Sequence, residues 1–225
     1  MLIEKMSNHD LRLAMLPYSS ALKVITMHAE TIMEELFANR RSNPVEHIKS
    51  RLKRPSSIAR KLEKKGYRPS VENALKYIDD IAGVRFVCLF PDDIYKIAEV
   101  IRNFNNIRIC RIKDYIERPK PNGYRSYHMH VEVPIRLLDH EESVKVEIQI
   151  RTVAMDSWAS MEHKIRYKKG VEIPDTVSYR LLECAHLTHE LDKRMQELNE
   201  EINKLSPVKQ PSEQLDTLEE YFKES

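Results

Sequence analysis

Residues 81–90 read IAGVRFVCLF, a nearly continuous run of apolar side chains that contains one charge, Arg85. Branched and aromatic residues in such a run are typical of a strand buried on both faces of a sheet. Because an unpaired buried guanidinium is costly, Arg85 must meet an anion or the face of a ring, and a carboxylate of the fold or a nucleotide could satisfy it. The segment predicts a central strand that carries one charged group.

The sequence on either side of this strand predicts a sheet flanked by helices. Apolar residues recur at helical spacing between Leu16 and Asn39, and Ser70 is a predicted N-cap. The order of elements predicts an α/β or α+β domain with a mixed sheet of four or five strands and helical ends. The other predicted helices are 56–65, 71–78, 91–104, 153–168 and 176–205, and the other predicted strands are 107–116, 127–135 and 144–150.

The composition is that of a folded protein with a heavily charged surface, since 41% of the 225 residues are hydrophobic and 32% are charged. No apolar run approaches the roughly 18 residues that span a membrane, and MLIEKMSNHD at the N-terminus lacks the apolar segment of a secretory signal. The three cysteines form no CxxC pair and are expected to be reduced thiols. We therefore expect a cytoplasmic protein with no membrane partner.

A basic block covers residues 49–68, where nine residues are Lys or Arg and one, Glu63, is acidic. The block surrounds a predicted helix that starts with Ser56 and Ser57, and such an N-terminus favours a polyphosphate. A solvated face or a nucleic-acid patch would carry the same charge. Because no aromatic residue interrupts the block before Tyr67, a nucleic-acid partner is not expected. The P-loop pattern of phosphate-binding enzymes does not occur in the sequence.

Two carboxylates are candidate metal ligands. The strand VKVEIQI at 144–150 alternates, so that Glu147 and Gln149 lie on the face opposite to its apolar residues. Asp80 immediately precedes the buried strand, and Mg²⁺ takes one or two carboxylates together with substrate phosphates. The alternatives are a solvent-facing amphipathic strand and an aspartate that caps a turn.

A glycine-containing loop is the most informative segment. Residues 111–128 read RIKDYIERPKPNGYRSYH, in which Gly123 permits close backbone approach and Tyr124 offers a ring beside it. An isolated Asn-Gly turn usually indicates a β-hairpin. Several cations around an aromatic ring fit a nucleotide acceptor site better. The cations are Arg111, Lys113, Arg118, Lys120 and Arg125.

Together with DIAGVRF, EIQIRT and WASMEH, this loop resembles the synthetase domain of the RelA/SpoT alarmone synthetases over about residues 15–200. The chain is similar to the short, single-domain members. The resemblance implies a nucleotidyltransferase-like synthetase domain over residues 1–205. The two prolines and five acidic residues of 206–225 indicate a mobile acidic tail. The resemblance implies no metal-dependent hydrolase domain, because His9–Asp10 is an isolated HD dipeptide.

The resemblance also assigns roles to the candidate residues. Asp80 and Glu147 would bind Mg²⁺, and Glu147 would act as general base on the acceptor's 3′-hydroxyl. In the ATP site, Arg51 and Arg85 would sandwich adenine, and Lys53, Lys61 and Lys64 would hold the phosphates. In the GDP or GTP site, Tyr124 would stack on guanine, Lys113, Lys120 and Arg125 would face the phosphates, and His128 and Gln149 would line the site.

The implied reaction transfers pyrophosphate from ATP to the 3′-hydroxyl of GDP or GTP and releases AMP, in the bacterial stringent response. The resemblance further implies a homotetramer assembled through the terminal helices. A nucleotidyltransferase that releases pyrophosphate is one alternative. A non-catalytic nucleotide- or RNA-binding module is another, although carboxylates beside a phosphate site argue against it unless a metal bridges them. The choice among GDP, GTP and GMP stays open.

Overall fold

The computed structural model describes residue 3 and residues 8–40, 44–166 and 172–205. The predicted acidic tail, 206–225, lies outside the described residues, as do the last two residues of the helix predicted over 153–168.

A mixed five-stranded sheet forms the centre of the structure and confirms the predicted fold class. The strands follow the spatial order β1-β2-β5-β4-β3, in which β2 and β5 are parallel and the other neighbouring pairs are antiparallel. The parallel pair places the strand predicted from IAGVRFVCLF beside the one predicted from VKVEIQI. The strands are β1 Val45–Leu52, β2 Ala82–Cys88, β3 Arg108–Asp114, β4 Tyr127–Arg136 and β5 Glu141–Thr152.

Six helices surround the sheet in the described part of the chain. The predicted cap is present, because the Ser70 side chain accepts a hydrogen bond from the Asn73 backbone N–H at 3.2 Å. None of the described helices is long and apolar enough to cross a membrane. The helices are α1 Asn8–Arg40, α2 Pro55–Lys64, α3 Val71–Tyr77, α4 Pro91–Arg102, α5 Val153–Arg166 and α6 Asp175–Leu205.

One face of the sheet is apolar and forms the core. In β5 the alternation is as predicted, since Val144, Val146, Ile148 and Ile150 are all buried. Apolar residues of α1 and α4 belong to the same core cluster. The opposite face carries the polar residues of the strands.

Strand β1 and the first two turns of α1 are not predicted by the sequence pattern. The register of β1 shifts between Val45 and His47, and this irregularity disrupts the alternation by which an amphipathic strand is recognised. Helix α1 begins at Asn8 instead of Leu16 and contains Pro17 in its interior. A proline near the start of an apolar pattern normally indicates the first helical turn, which explains the late predicted start.

Candidate active site

The strand register aligns the candidate residues in two rows across the polar face. Residues paired across neighbouring strands project to the same side of a sheet, so each row is a continuous line of side chains. The two rows are adjacent because successive members of a strand's polar face are two residues apart. The first row is Arg51, Gly83, Glu147, His130 and Arg111, and the second is Lys49, Arg85, Gln149, His128 and Lys113.

A pocket of about 310 Å³ lies over the β1, β2 and β5 part of these rows. Arg51 and Arg85 both line it, and Gly83 contributes no side chain to its floor. A Cβ at Gly83 would meet only backbone oxygens at 3.7 and 3.9 Å, so the strand does not require glycine for its own packing. The pocket is also lined by Asp80, Glu147 and Gln149. The structure thus brings five of the predicted site residues into one cavity.

Asp80 lies between two lysines of the basic block. Its Oδ2 accepts hydrogen bonds from Lys53 and from Lys61, the latter at 2.8 Å. Burial would raise the pKa of Asp80, but the two lysines outweigh it and hold the pKa below its usual range. Its Oδ1 is buried and has no hydrogen-bond partner among the described residues. One oxygen of the carboxylate is therefore paired with two ammonium groups, and the other oxygen still needs a hydrogen-bond donor or a cation.

Glu147 accepts two hydrogen bonds from neighbouring side chains. His128 Nδ1 lies 3.2 Å from Oε1 and Gln149 Nε2 lies 2.8 Å from Oε2. Burial would raise the pKa of Glu147, but these donors outweigh it and lower the pKa to about 2. The side chain is therefore a carboxylate throughout the neutral range. A second imidazole, His130, lies 3.8 Å from the same Oε1.

The donors to Glu147 belong to a closed hydrogen-bond circuit. Tyr124 Oη lies 2.8 Å from His128 Nε2, and the buried Arg151 donates from Nη2 to both Tyr124 Oη and Gln149 Oε1. Burial lowers the pKa of His128, so its ring is neutral and carries one N–H. The consistent assignment has Tyr124 donating to Nε2 and Nδ1–H donating to Glu147. We call these five side chains the Glu147 circuit.

Arg151 and Asp156 contact the candidate site residues, and the sequence analysis missed both. Asp156 Oδ1 accepts a hydrogen bond from Arg151 Nη1 at 3.2 Å and forms an ion pair with Arg85 Nη1 at 2.8 Å. The partner that Arg85 requires is therefore a carboxylate of the fold. The alternation of β5 contained a signal for Arg151, since it lies on the same face as Glu147 and Gln149. Nothing in the sequence pattern connects Asp156, on α5, to β2.

The predicted acceptor cations take different positions. Lys120 Nζ lies 4.5 Å from the centroid of the Tyr124 ring and 4.7 Å from that of Tyr115. Lys113 pairs with His128 in the register of β3 and β4, so it lies on the polar face. Both cations are therefore close to the Glu147 circuit.

Arg125 and Lys64 are not brought to the pocket. Arg125 donates to the backbone carbonyl of Ile116, and the negative charge of Asp192 on α6 acts on it. Its neighbour Tyr124 instead contacts His128 and Arg151 of the circuit. Lys64 is exposed in the last turn of α2, three residues after Lys61 and so on the same helical face.

Gly123 makes the close backbone approach that its residue type predicts, and the neighbour is helix α6. Its φ is 86°, in the left-handed region that favours glycine. A Cβ at this position would lie 2.5 Å from Ala185 Cβ and 3.0 Å from Leu182 Cδ1. Because Gly123 directly precedes Tyr124, the docking of α6 fixes where the aromatic ring of the loop can lie.

The donor set around the pocket fits a magnesium ion that is shared with a substrate. The described residues contain no cluster of three or more His, Cys, Asp or Glu side chains that would form an all-protein metal site. Mg²⁺ commonly binds through one or two carboxylates plus substrate phosphates and water. Asp80 and Glu147 line one pocket, and the unpartnered buried Oδ1 of Asp80 is an oxygen of the kind that Mg²⁺ prefers.

Comparison with known sequences agrees with this geometry. A family model described as a region found in RelA/SpoT proteins matches residues 50–172. GTP pyrophosphokinase YwaC of Bacillus subtilis (strain 168) is 42% identical over 86% of this chain and 92% of its own length. GTP pyrophosphokinase YjbM of the same strain is 34% identical over 84% of this chain and 88% of its own length.

Comparison with solved structures gives the same result. The small alarmone synthetase 1 from Bacillus subtilis, bound to its product pppGpp, superposes with a TM-score of 0.79 at 32% identity, covering 87% of this chain and 99% of that one. The small alarmone synthetase 2 from the same organism superposes with a TM-score of 0.75 at 43% identity, covering 83% and 97%. Since the family model spans more than half of the 225 residues and includes both carboxylates, this chain belongs to the RelA/SpoT family.

Proposed function

We propose that this chain is a (p)ppGpp synthetase that transfers pyrophosphate from ATP to the 3′-hydroxyl of GDP or GTP and releases AMP. The observation that carries the proposal is that Asp80 and Glu147 line the same pocket as Arg51 and Arg85. The relatives YwaC and YjbM, named as GTP pyrophosphokinases, support it. The catalytic unit would extend over residues 1–205 and act in the cytoplasm.

ATP would occupy the pocket over Gly83. Its adenine would lie between the guanidinium groups of Arg51 and Arg85, which line the pocket without a side chain between them on the floor. Lys53 and Lys61 would turn from Asp80 to the phosphates, because both already lie at the carboxylate that would hold the metal. Lys64 would extend this phosphate site along α2.

The acceptor nucleotide would lie on the other side of Glu147. Its guanine would stack on Tyr124, whose hydroxyl is fixed by His128 and Arg151. Lys120, next to the same ring, and Lys113, on the neighbouring strand, would face its phosphates. Gln149 would line the site from the second row, and Arg125 would contribute its charge from the α6 side of the loop.

The transfer step would form a bond from the 3′-oxygen to the β-phosphorus of ATP. The bond from that phosphorus to the α–β bridging oxygen breaks, AMP leaves with the electron pair, and Glu147 takes the hydroxyl proton. Against its burial, the donors His128 and Gln149 hold the pKa of Glu147 at about 2, which makes the resting carboxylate a weak base. Proton transfer therefore requires the acceptor hydroxyl to replace one donor, because losing that donor raises the pKa.

Asp80 and Glu147 would hold Mg²⁺ in the pocket that both line. When bound, the ion would neutralise charge on the ATP phosphates. The residues of the chain supply the remaining effects, which are positioning of both nucleotides and fixed hydrogen bonds at the reacting oxygen.

The experiment uses purified protein, Mg²⁺, ATP labelled on the γ-phosphate, and GDP, GTP or GMP in separate reactions, followed by separation of the nucleotides. Label on the guanosine acceptor with an equal amount of AMP is the expected result, and the acceptor rates give the preference. Release of pyrophosphate from ATP would instead identify a nucleotidyltransferase. Unchanged ATP with folded protein and every acceptor would contradict the proposal.

We further propose that the chain assembles into a homotetramer through α6. Its exposed apolar residues recur at intervals of four, four, three, four and three, close to the heptad spacing by which a helix packs on a copy of itself. Between 45% and 79% of each residue is exposed in the single chain. They are Leu187, Leu191, Met195, Leu198, Ile202 and Leu205.

The mass in solution tests this assembly. The wild-type chain is expected at four times its 26.6 kDa monomer mass in light scattering after size exclusion. Replacing Leu191 and Leu198 by glutamate should lower the mass, because charge would be buried in the seam. The matched control replaces the exposed polar residues Lys193 and Glu200 by serine. A wild-type monomer would contradict the proposal.

A further inference from the structure

Asp156 connects the two sides of the candidate active site. It is buried in the first turn of α5, and Thr152, which ends β5, accepts a hydrogen bond from the Met155 N–H at 3.1 Å as that helix starts. This sharp strand-to-helix connection directs the carboxylate back towards the end of the sheet. There its Oδ1 meets Arg85 at 2.8 Å and Arg151 at 3.2 Å.

The contact with Arg85 leads to the ATP side. Arg85 lines the pocket, and about 30% of its side chain is exposed. Its Nε is buried without a hydrogen-bond partner among the described residues. The ion pair between Nη1 and Asp156 therefore restrains the guanidinium group, which would form one wall of the adenine site.

The contact with Arg151 leads to the acceptor side. The Arg151 side chain is 5% exposed and is fully committed to the fold, since it also donates from Nε to Ser126 at 3.2 Å. Its Nη2 holds Tyr124 and Gln149, and its guanidinium lies 5.0 Å from the centroid of the Tyr124 ring. Through these bonds, the position of Arg151 sets the positions of the ring and the amide on which the acceptor nucleotide would rest.

One carboxylate oxygen thus serves two guanidinium groups of like charge. An adenine ring stacked on Arg85 would exclude water from the guanidinium and leave its in-plane N–H groups directed at Asp156, so this ion pair strengthens and the carboxylate is held more firmly against Arg151. A stronger bond to Arg151 holds Tyr124 and Gln149 more firmly before the acceptor arrives. These side chains then lose less conformational freedom when the acceptor binds, so the affinity for the acceptor rises.

We infer that Asp156 is a positioning residue that couples the two nucleotide sites, so that an adenine nucleotide bound at Arg85 raises the affinity for the guanine nucleotide. The inference rests on the proposed function of the site. The effect is reciprocal, because a coupling free energy acts equally on both ligands.

Calorimetry tests the coupling without any chemical step. GDP is titrated in Mg²⁺ buffer into the full chain, alone and with saturating AMPCPP. In this ATP analogue a methylene group replaces the α–β bridging oxygen, whose bond to the β-phosphorus the reaction would break. In the wild type, AMPCPP is expected to lower the Kd of GDP at least about fivefold, the lower end of typical allosteric couplings. In Asp156→Asn the factor should fall below about two, with the Kd of AMPCPP within about threefold of wild type.

A matched control and a second variant separate coupling from loss of structure. Asp93, also a buried aspartate in the first turn of a helix, bonds to Lys96 at 3.0 Å, away from the pocket, so Asp93→Asn should keep the wild-type factor. Arg151→Lys retains the charge but cannot reach Ser126, Asp156 and Tyr124 together. It should weaken GDP binding and reduce the coupling while leaving AMPCPP binding in place.

The outcomes distinguish the inference from the function on which it rests. If neither nucleotide binds folded wild-type protein, the proposed function fails, and the inference with it. If both bind but AMPCPP does not change the Kd of GDP, or if the folded Asp156→Asn and Arg151→Lys chains keep the full factor, the coupling is overturned while the proposed function stands.

Discussion

His128 and Glu147 meet along a diagonal between neighbouring strands. In the register of β4 and β5, Glu147 is paired with His130 and His128 with Gln149, yet His128 Nδ1 lies 3.2 Å from Glu147 Oε1 and His130 Nε2 lies 3.8 Å from it. The carboxylate therefore leans towards the loop that carries Tyr124. The hydrogen bonds of the circuit therefore lie on one side of the Glu147 side chain, and the space over Gly83 lies on the other.

Glu147→Gln should abolish pyrophosphate transfer while both nucleotides still bind. An amide cannot take the hydroxyl proton, and a general base contributes about 10²–10⁴-fold to a rate. The amide would also place an N–H₂ group against one of the donors His128 and Gln149, which both need an acceptor. The transfer assay and calorimetry with AMPCPP and GDP measure the two effects separately.

The control is Glu141→Gln, which changes an exposed carboxylate of the same strand that pairs with Arg136. It should retain wild-type transfer. A folded Glu147→Gln chain with transfer within about tenfold of wild type would show that Glu147 is not the base, since the loss is below the range for that role. A chain that fails to fold would show that the carboxylate is chiefly structural.

Most of the fold follows from the sequence because its strands obey simple periodicity. The run IAGVRFVCLF and the alternation in VKVEIQI give β2 and β5, and with them the face on which Glu147 and Gln149 lie. Strand β1 is not predicted because its bulge disrupts the period of two. The proximity of Asp80 to Lys53 and Lys61 depends on the pairing of β1 with β2, so it could not be predicted from sequence spacing alone.

The site is predictable to the extent that its residues lie on one strand or in one motif. Residue types identified the carboxylates, Tyr124 and His128, but the sequence did not predict their closed circuit. Arg151 and Asp156 were missed because their role depends on how α5 leaves the sheet. Hydrogen bonds between side chains distant in sequence need the tertiary structure, whereas periodicity reports only local direction.

Gly83→Val should weaken ATP binding and leave the fold intact. A Cβ at Gly83 would make ordinary contacts with the backbone of Glu147 and Arg51, and valine favours strands. The added methyl groups would occupy the floor of the pocket between Arg51 and Arg85. Overpacking costs about 1–3 kcal/mol, so the KM for ATP should rise roughly 5–150-fold.

Gly83→Ala serves as the graded control and should raise the KM for ATP less than valine does. The KM for GDP should be nearly unchanged in both variants, because Tyr124 and His128 lie beyond Glu147. Thermal unfolding monitors the fold. An unaltered KM for ATP in the folded valine variant would mean that adenine does not lie over Gly83.

Gly123→Ala should destabilise the chain and weaken acceptor binding. Left-handed backbone costs a non-glycine residue about 1–2 kcal/mol, and the new Cβ would overlap Ala185 Cβ, 2.5 Å away. The loop must then move from α6 and carry Tyr124 with it, so the KM for GDP should rise more than the KM for ATP. Denaturant unfolding and steady-state kinetics measure both effects.

The double variant Gly123→Ala with Ala185→Gly separates the two causes. Removing the Ala185 Cβ relieves the overlap but not the backbone strain. The double variant should therefore be more stable, and its KM for GDP lower, than the summed free-energy effects of the two single variants would give. Simple additivity of the two single changes would show that the loop does not depend on contact with α6.

Asp192→Asn should make the chain more stable at pH 7.5 than wild type, but not at pH 4. Asp192 is 4% exposed and bonds to Thr152 at 2.8 Å. Burial raises its pKa to about 6, and the Thr152 bond and Arg125 offset only part of that rise. An unfolded aspartate has a pKa of about 3.9. Between those values the folded state binds more protons than the unfolded state, so the stability contributed by Asp192 falls as pH rises from about 4 to 6.

Asparagine keeps the shape and can still accept from Thr152, but it does not ionise. The stability of the variant relative to wild type should therefore rise by about 2–3 kcal/mol from pH 4 to pH 7.5, since a shift of one pKa unit corresponds to about 1.4 kcal/mol. Urea unfolding at the two pH values measures this difference, and Asp175→Asn, at the exposed start of the same helix, controls for the lost charge. A difference that stays constant between the two pH values would mean that Asp192 is ionised in the folded protein at pH 4, and that Arg125 compensates its charge fully.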